Sequence, residues 1–152
     1  MREKKILISI KPQWVEKILN GEKTVEIRKT MPKCELPVKV YIYCTKAIKF
    51  KDVYLHELKK VNGKYELGLH GNNIINGKVV GEFTLNKVEM LYGADAEIEK
   101  QTCLTMGELY KYAKGKNLYS WHIEDLIIYD TPKELSEFGL TKAPQSYQYI
   151  KE

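Results

Sequence analysis

The chain has 152 residues, of which 43% are hydrophobic and 30% are charged, a balance that excludes a disordered chain and predicts one globular domain over residues 1–152. Its 25 lysines and arginines exceed its 20 aspartates and glutamates, and this mild basic excess fits an anionic partner without requiring one. The three cysteines are scattered and no apolar run approaches the about 20 residues that span a bilayer. We therefore expect a cytoplasmic protein with no membrane contact, no metal site and no cofactor.

The first predicted elements are a buried strand and a short amphipathic helix. Residues 6–10 form a nearly continuous apolar run rich in isoleucine, which is typical of a buried strand. Pro12 suits the first turn of a helix, and Asn20-Gly21 is a stop signal. Between them, apolar residues recur with helical spacing at Trp14, Val15, Ile18 and Leu19. Trp14 lies on this apolar stripe, so we assign it to the core rather than to a ligand.

A charged strand is predicted directly after the helix, in residues 21–28. Alternation along a strand places Glu26 and Arg28 on one face, about 7 Å apart, close enough to meet or to hold one ligand between them. The same alternation places Lys23 on the opposite face, and a twist or bulge at the start of the strand is needed to bring it to the others. The alternative is a solvated edge strand with an exposed ion pair.

The middle of the chain contains two strands separated by a polar segment. Residues 38–44 alternate like a half-buried strand whose polar face carries Tyr41 and Tyr43. Residues 46–77 are interrupted and polar, with a hairpin turn at Asn62-Gly63 and loops at Gly68, Gly71 and Asn72-Asn73, and no role is assigned to them. A long strand follows in residues 78–91, where Gly81 indicates a bulge or a close backbone approach.

The last third of the chain predicts two helices and two strands. Thr105 and Glu108 have the spacing of a capping box that opens a helix ending at Gly115. A strand over residues 119–129, a short helix from Pro132 and a closing strand up to Ile150 complete the chain. Many strands, few short helices and no regular β-α alternation predict an α+β fold, a small mixed β-barrel with two or three short helices at its ends.

Four sequence blocks resemble the ASCH domain family, a relative of the PUA fold. They are Gly21-x-Lys23-x-x-Glu26-x-Arg28 behind Lys11-Pro12, then Gly81-Glu82-Phe83, Trp121-His122-Ile123-x-Asp125-Leu126 and Pro144-x-Ser146-Tyr147. They follow one another in the family's order, so the resemblance covers nearly the whole chain. It implies a PUA-like pseudobarrel whose cleft suits RNA or a nucleotide, in translation or RNA processing.

A resemblance to one branch of that family implies a different activity. Its members are small amidohydrolases that remove the acyl group of N4-acetylcytidine with a lysine, a threonine and a glutamate. Lys23 matches that lysine in an ungapped alignment, but Glu26 occupies the position of the threonine, and the glutamate has no assigned counterpart. The alternative function is therefore a metal-independent hydrolase, either of this type or a ribonuclease, with Lys23 and Glu26 as the catalytic residues.

The function that we predict is an RNA-binding or nucleotide-binding module, with RNA, a nucleoside or a nucleotide as partner and a monomer favoured. Arginine can hold a phosphate through two parallel hydrogen bonds, a carboxylate can accept from the exocyclic amine of a base, and a tyrosine ring can stack on a base. A protein-interaction domain with a charged, soluble edge is a further alternative. The candidate binding residues are Lys11, Lys23, Glu26, Arg28, Tyr43 and Ser146.

Overall fold

Strands dominate the computed structural model of the protein, which describes residues 4–46, 48–49, 52–53, 56–69, 74–93 and 95–151. The strands in these ranges are β1 (Lys4–Ile10), β2 (Val25–Arg28), β3 (Val38–Cys44), β4 (Ile48–Lys49), β5 (Asp52–Val53), β6 (His56–Val61), β7 (Lys64–Leu69), β8 (Lys78–Leu85), β9 (Val88–Met90), β10 (Tyr119–His122), β11 (Glu124–Lys133) and β12 (Tyr147–Lys151). The helices are α1 (Pro12–Leu19), α2 (Ala96–Thr102) and α3 (Met106–Ala113), followed by a 3₁₀ turn (Leu135–Phe138).

The main sheet has five strands in the order β11-β8-β3-β1-β12. Its central pair, β1 and β3, is parallel, and its other pairs are antiparallel. A strand that is covered on both faces needs apolar side chains at successive positions, and Ile6, Leu7 and Ile8 are fully buried. One face packs against α1 and Trp121, while the other packs against a smaller cluster that includes Phe138.

The prediction of a half-buried β3 is wrong about its second face. Tyr41 and Tyr43 are only 9% and 6% exposed, because their face of the sheet is covered by Leu135, Phe138 and neighbouring side chains. The ring centroids of Tyr41 and Phe138 lie 4.6 Å apart. Alternation reports which side chains share a face, but it cannot distinguish water from a second apolar layer.

The predicted barrel is not closed within the described part of the chain. A second sheet, in the order β2-β10-β9, stands beside the five-stranded sheet. The strands β11 and β12 are the edges of the larger sheet and pair there with β8 and β1, whereas β2 and β9 both pair with β10. The mixed α+β class holds, with two sheets that face a shared core.

Several local predictions are confirmed. Asn62 and Gly63 both have positive φ in the turn of the β6–β7 hairpin, and Thr105 and Glu108 form the capping box of α3. The helix α2 was not predicted, although Asp95 caps it by accepting a hydrogen bond from the backbone N–H of Ile98. The predicted loop at Gly68 is wrong, because Gly68 lies within β7 and pairs there with Glu57 of β6. The predicted loops at Gly71 and Asn72-Asn73 lie outside the described residues.

In the described ranges, no helix has both the length and the apolar character that crossing a bilayer demands.

Gly81 marks a close backbone approach in the main sheet, which gives the first prediction. A Cβ atom at this position would lie 2.5 Å from the carbonyl oxygen of Ile127 on the neighbouring strand β11. Because that neighbour is backbone, the strands must separate, and we expect Gly81→Ala to lower the free energy of unfolding by about 1–3 kcal/mol. Urea unfolding followed by circular dichroism measures this change.

The matched control is Gly107→Ala in α3. There the nearest atom to an added Cβ is the Thr105 hydroxyl oxygen at 3.8 Å, and alanine is the better helix former by about 1 kcal/mol. Equal effects of the two substitutions would contradict the close approach of β8 and β11.

Candidate functional site

The position of Lys23 depends on where β2 begins. The strand starts at Val25 rather than at Lys23, and the backbone N–H groups of Glu22 and Lys23 both donate to the carbonyl oxygen of Lys17 at the end of α1. The end of the helix therefore fixes the backbone just before the strand. As a result Lys23 does not follow the alternation of the strand, and its side chain turns toward Glu26.

Lys23 is almost completely buried, with 2% of its surface exposed. Its ammonium group donates to the carbonyl oxygen of Thr102 over 2.7 Å and lies 3.4 Å from Oε1 of Glu26. The same group lies 5.3 Å from the centre of the Trp14 ring, within the range of a cation–π contact. These contacts join the end of α2, the start of β2 and helix α1.

Glu26 connects Lys23 to Arg28. Its Oε2 lies 3.0 Å from Nη2 of Arg28, and its Oε1 accepts a hydrogen bond from the backbone N–H of Ile27. Arg28 also donates from Nη2 to the carbonyl oxygen of Ser9 and from Nη1 to the hydroxyl oxygen of Ser146. We call Lys23, Glu26 and Arg28 the charged chain, since a single carboxylate bridges two cations.

The charged chain keeps a net positive charge in a largely dry setting. Burial lowers the pKa of Lys23 below that of an exposed lysine, and the attraction and hydrogen bond of Glu26 oppose that decrease. The carboxylate of Glu26 balances one of the two cations, so the three side chains of the charged chain together leave one positive charge for a ligand to neutralise. An anion that enters the site would therefore gain from electrostatic attraction at low local dielectric.

The charged chain forms the floor of a cavity of 760 Å³. Lys11, at the start of α1, and Lys111, on α3, add two exposed cations to its lining. Trp14 and Tyr112 supply aromatic walls, and the remaining lining residues are Ser9, Ile10, Ile27, Thr45, Leu104, Glu108 and Gln145. Four cationic side chains face two carboxylates, so the cavity is basic and has both polar and aromatic surfaces.

The structure brings four of the six candidate residues to this cavity, namely Lys11, Lys23, Glu26 and Arg28. Ser146 bonds to Arg28 but lines a neighbouring cavity instead. Tyr43 belongs to neither, since it is buried against Leu7 and Val79 on the other side of the sheet, where it has no free face for a base. Trp14 packs against the core as predicted and also lines the cavity, which the sequence analysis did not anticipate.

Helix α3 contributes a wall of the cavity that was not predicted from the sequence. Glu108, Lys111 and Tyr112 lie three and four positions apart, so they share one face of the helix, and all three line the cavity. This polar, aromatic helix face was the sequence feature that could have indicated a ligand-binding wall. Nothing in the sequence alone indicated that it lies opposite β2.

Solved structures with the same architecture identify the fold. The ASCH protein of Zymomonas mobilis superposes with a TM-score of 0.65 at 18% identity, over 97% of this chain and 88% of that one. The chain has an ASCH fold. Serine-to-alanine and tyrosine-to-phenylalanine variants of the Zymomonas protein give TM-scores of 0.66 and 0.64, both at 17% identity over 97% of this chain and 89% and 91% of theirs.

Sequence comparison adds a partial similarity. No protein-family model matches the chain. The large ribosomal subunit protein uL22 from two strains of Ureaplasma parvum serovar 3 is 38% identical over 79 residues. That match includes 49% of this chain, which spans 25% of the length of those relatives.

The charged chain gives the second prediction, which concerns the pKa of Lys23. Glu26 provides the largest influence that raises this pKa, so in Glu26→Gln we expect it to decrease further. NMR titration of the Lys23 side-chain nitrogen measures the change. The control is Glu89→Gln, which removes an exposed carboxylate paired with His122 and Lys87 and should leave the pKa of Lys23 where it was.

The same shift has a consequence for stability. Because the pKa of Lys23 is lower in the folded state, the unfolded chain binds more protons between that pKa and 10.5, the value of an exposed lysine. The contribution of Lys23 to the free energy of unfolding therefore rises as the pH rises through this interval. The interval should be wider in Glu26→Gln, and an unchanged pKa would contradict the coupling of the two side chains.

Proposed function

We propose that the cavity above the charged chain binds a nucleobase of RNA together with an adjacent phosphate. The observation that carries this proposal is the arrangement of Lys23, Glu26 and Arg28, in which a buried carboxylate and flanking cations form the floor of a cavity with aromatic walls. The cavity volume of 760 Å³ falls within the range of about 300–1,000 Å³ that is typical of small-ligand sites.

Glu26 is the group that reads the base. A carboxylate has about four acceptor positions, and the described contacts occupy three of them, with the backbone N–H of Ile27, Lys23 and Arg28 as partners. The remaining acceptor can receive a hydrogen bond from an exocyclic amine, as carboxylates do with cytosine. Adenine and guanine also carry such an amine, whereas uracil does not.

Cations supply the phosphate contact. The described contacts of Arg28 use three of its five N–H donors, and Lys11 and Lys111 stand exposed in the same lining. Arginine and lysine are the usual partners of nucleic-acid phosphates. A base that enters the cavity between Trp14 and Tyr112 would thus have its phosphate near three cations.

The comparisons support this proposal in two ways. The fold is shared with proteins named for the ASCH domain, whose cleft the sequence resemblance relates to RNA. A segment of the chain is also similar to part of a protein named as a component of the large ribosomal subunit, a particle built on RNA. A role in translation or RNA processing is consistent with both.

The third prediction tests base reading by Glu26. In NMR titrations of the labelled protein, we expect cytidine monophosphate to shift the signals of Lys23, Glu26 and Arg28 and to bind about tenfold more tightly than uridine monophosphate, the value of one hydrogen bond to a charged group. Glu26→Gln should reduce this preference to less than about threefold, because the amide presents a donor beside its acceptor.

Glu108→Gln is the matched control, since it changes another carboxylate of the same cavity and a capping box accepts glutamine at that position. It should keep the preference for cytidine. The double variant Lys11→Ala/Lys111→Ala should lower the affinity for both nucleotides by the same factor. Equal binding of the two nucleotides by the wild-type protein would refute base reading by Glu26.

A hydrolase is the second candidate function, and the state of Lys23 favours it. A buried lysine with a lowered pKa next to a carboxylate is a suitable proton-transfer group. In the ungapped alignment of the sequence resemblance, Lys23 matches the lysine of the amidohydrolases. Proton NMR of a mixture with N4-acetylcytidine detects free acetate directly. Acetate release by the wild type and its loss in Lys23→Ala would establish the hydrolase, as would metal-independent RNA cleavage with the same dependence on Lys23.

A further inference from the structure

A second cavity adjoins the first and shares a wall with it. It has a volume of 680 Å³, and its lining residues are Lys29, Thr30, Met31, Lys33, Tyr112, Gln145, Ser146, Tyr147 and Tyr149. Tyr112 and Gln145 line both cavities, and the hydrogen bond of 3.1 Å from Arg28 to Ser146 joins the floor of the first to the wall of the second. The two cavities are therefore neighbours that share one wall.

The second cavity is basic. Lys29 and Lys33 line it, and none of the described residues of its lining is acidic. The ammonium group of Lys29 lies 4.8 Å from the centre of the Tyr112 ring, on the wall that separates the cavities. An anion in this cavity would thus meet two cations and no opposing carboxylate. Such a lining suits a phosphate, whereas the first cavity offers the Glu26 carboxylate as an acceptor for a base.

The aromatic surface of the second cavity is fixed in place. Tyr147 shares a hydrogen bond of 2.8 Å with the hydroxyl of Thr30, and the Tyr149 hydroxyl accepts from the backbone N–H of Lys33. Their rings meet edge to face, with centroids 6.2 Å apart, and Tyr149 and Tyr112 are 36% and 40% exposed. Rings that are held by their own hydroxyl groups lose little freedom when a base stacks on them.

We propose that the two cavities bind consecutive nucleotides of single-stranded RNA, so that the ligand is an oligonucleotide rather than a free nucleoside or nucleotide. This inference rests on the proposed function of the first cavity. Each cavity has the volume of a small-ligand site, and each combines cations with aromatic surface. A base can reach such a surface only when it is unpaired, which excludes a continuous duplex.

The experiment compares tricytidylate with cytidine monophosphate by isothermal titration calorimetry at several salt concentrations. We expect the trinucleotide to bind the wild type about tenfold more tightly or better, because the second binding step becomes intramolecular. Lys29→Ala/Lys33→Ala should abolish most of this gain and leave mononucleotide binding unchanged. The salt slope for the trinucleotide should become shallower by about 0.7 for each phosphate that the variant no longer neutralises.

The matched control is Lys60→Ala/Lys64→Ala, which removes the same charge from the β6–β7 hairpin, outside both cavity linings. Equal affinities of the wild type for the two ligands, or equal reductions in affinity in the two double variants, would overturn the inference and leave the proposed function of the first cavity standing. If neither ligand binds the wild type, the proposed function fails and the inference with it.

Discussion

The carboxylate of Glu26 is the contact on which the arrangement of the site depends. Through Lys23 it is connected to the end of α2, and through Arg28 it is connected to the end of β1 and to Ser146 before β12. Breaking a buried ion pair by removal of one partner typically costs about 3–5 kcal/mol, so these segments are held by a group that the protein cannot easily lose. The same carboxylate is the acceptor proposed to read a base. In the proposed function, one carboxylate therefore holds the segments together and also contacts the base.

Strand alternation predicted that Glu26 and Arg28 are neighbours, because side chains two positions apart share one face of a strand, and the two side chains lie 3.0 Å apart. The position of the Lys23 side chain was harder to predict, because it depends on a hydrogen bond from the backbone N–H of Lys23 to the carbonyl oxygen of Lys17. Tyr43 was assigned to the ligand because alternation cannot show that the turn at Leu135–Phe138 covers its face. The wall from α3 could not be predicted, as it depends on how distant segments pack.

The fold and the function have different kinds of support. The ASCH fold is established by superposition over 97% of the chain, yet identity to those structures is 17–18%. At that distance the framework is retained while side chains in a cleft are free to change, and function must be argued from the site itself. Glu26 is an example, because in an ungapped alignment it takes the position of the threonine of the amidohydrolases that the sequence resembles. A carboxylate at that position can accept hydrogen bonds but cannot act as a hydroxyl nucleophile.

The placement of α2 and α3 has a consequence for how such a protein can diversify. Both helices lie between β9 and β10, which pair directly with each other as antiparallel neighbours, so they amount to an insertion in the connection of a hairpin. Surface connections of this kind tolerate changes in length and sequence far better than the strands they join. The insertion carries Lys111 and Tyr112, while the charged chain begins at the end of α1 and continues into β2. The lining of the cavity can thus diverge through α3, while the end of α2 retains the carbonyl oxygen of Thr102 that holds Lys23.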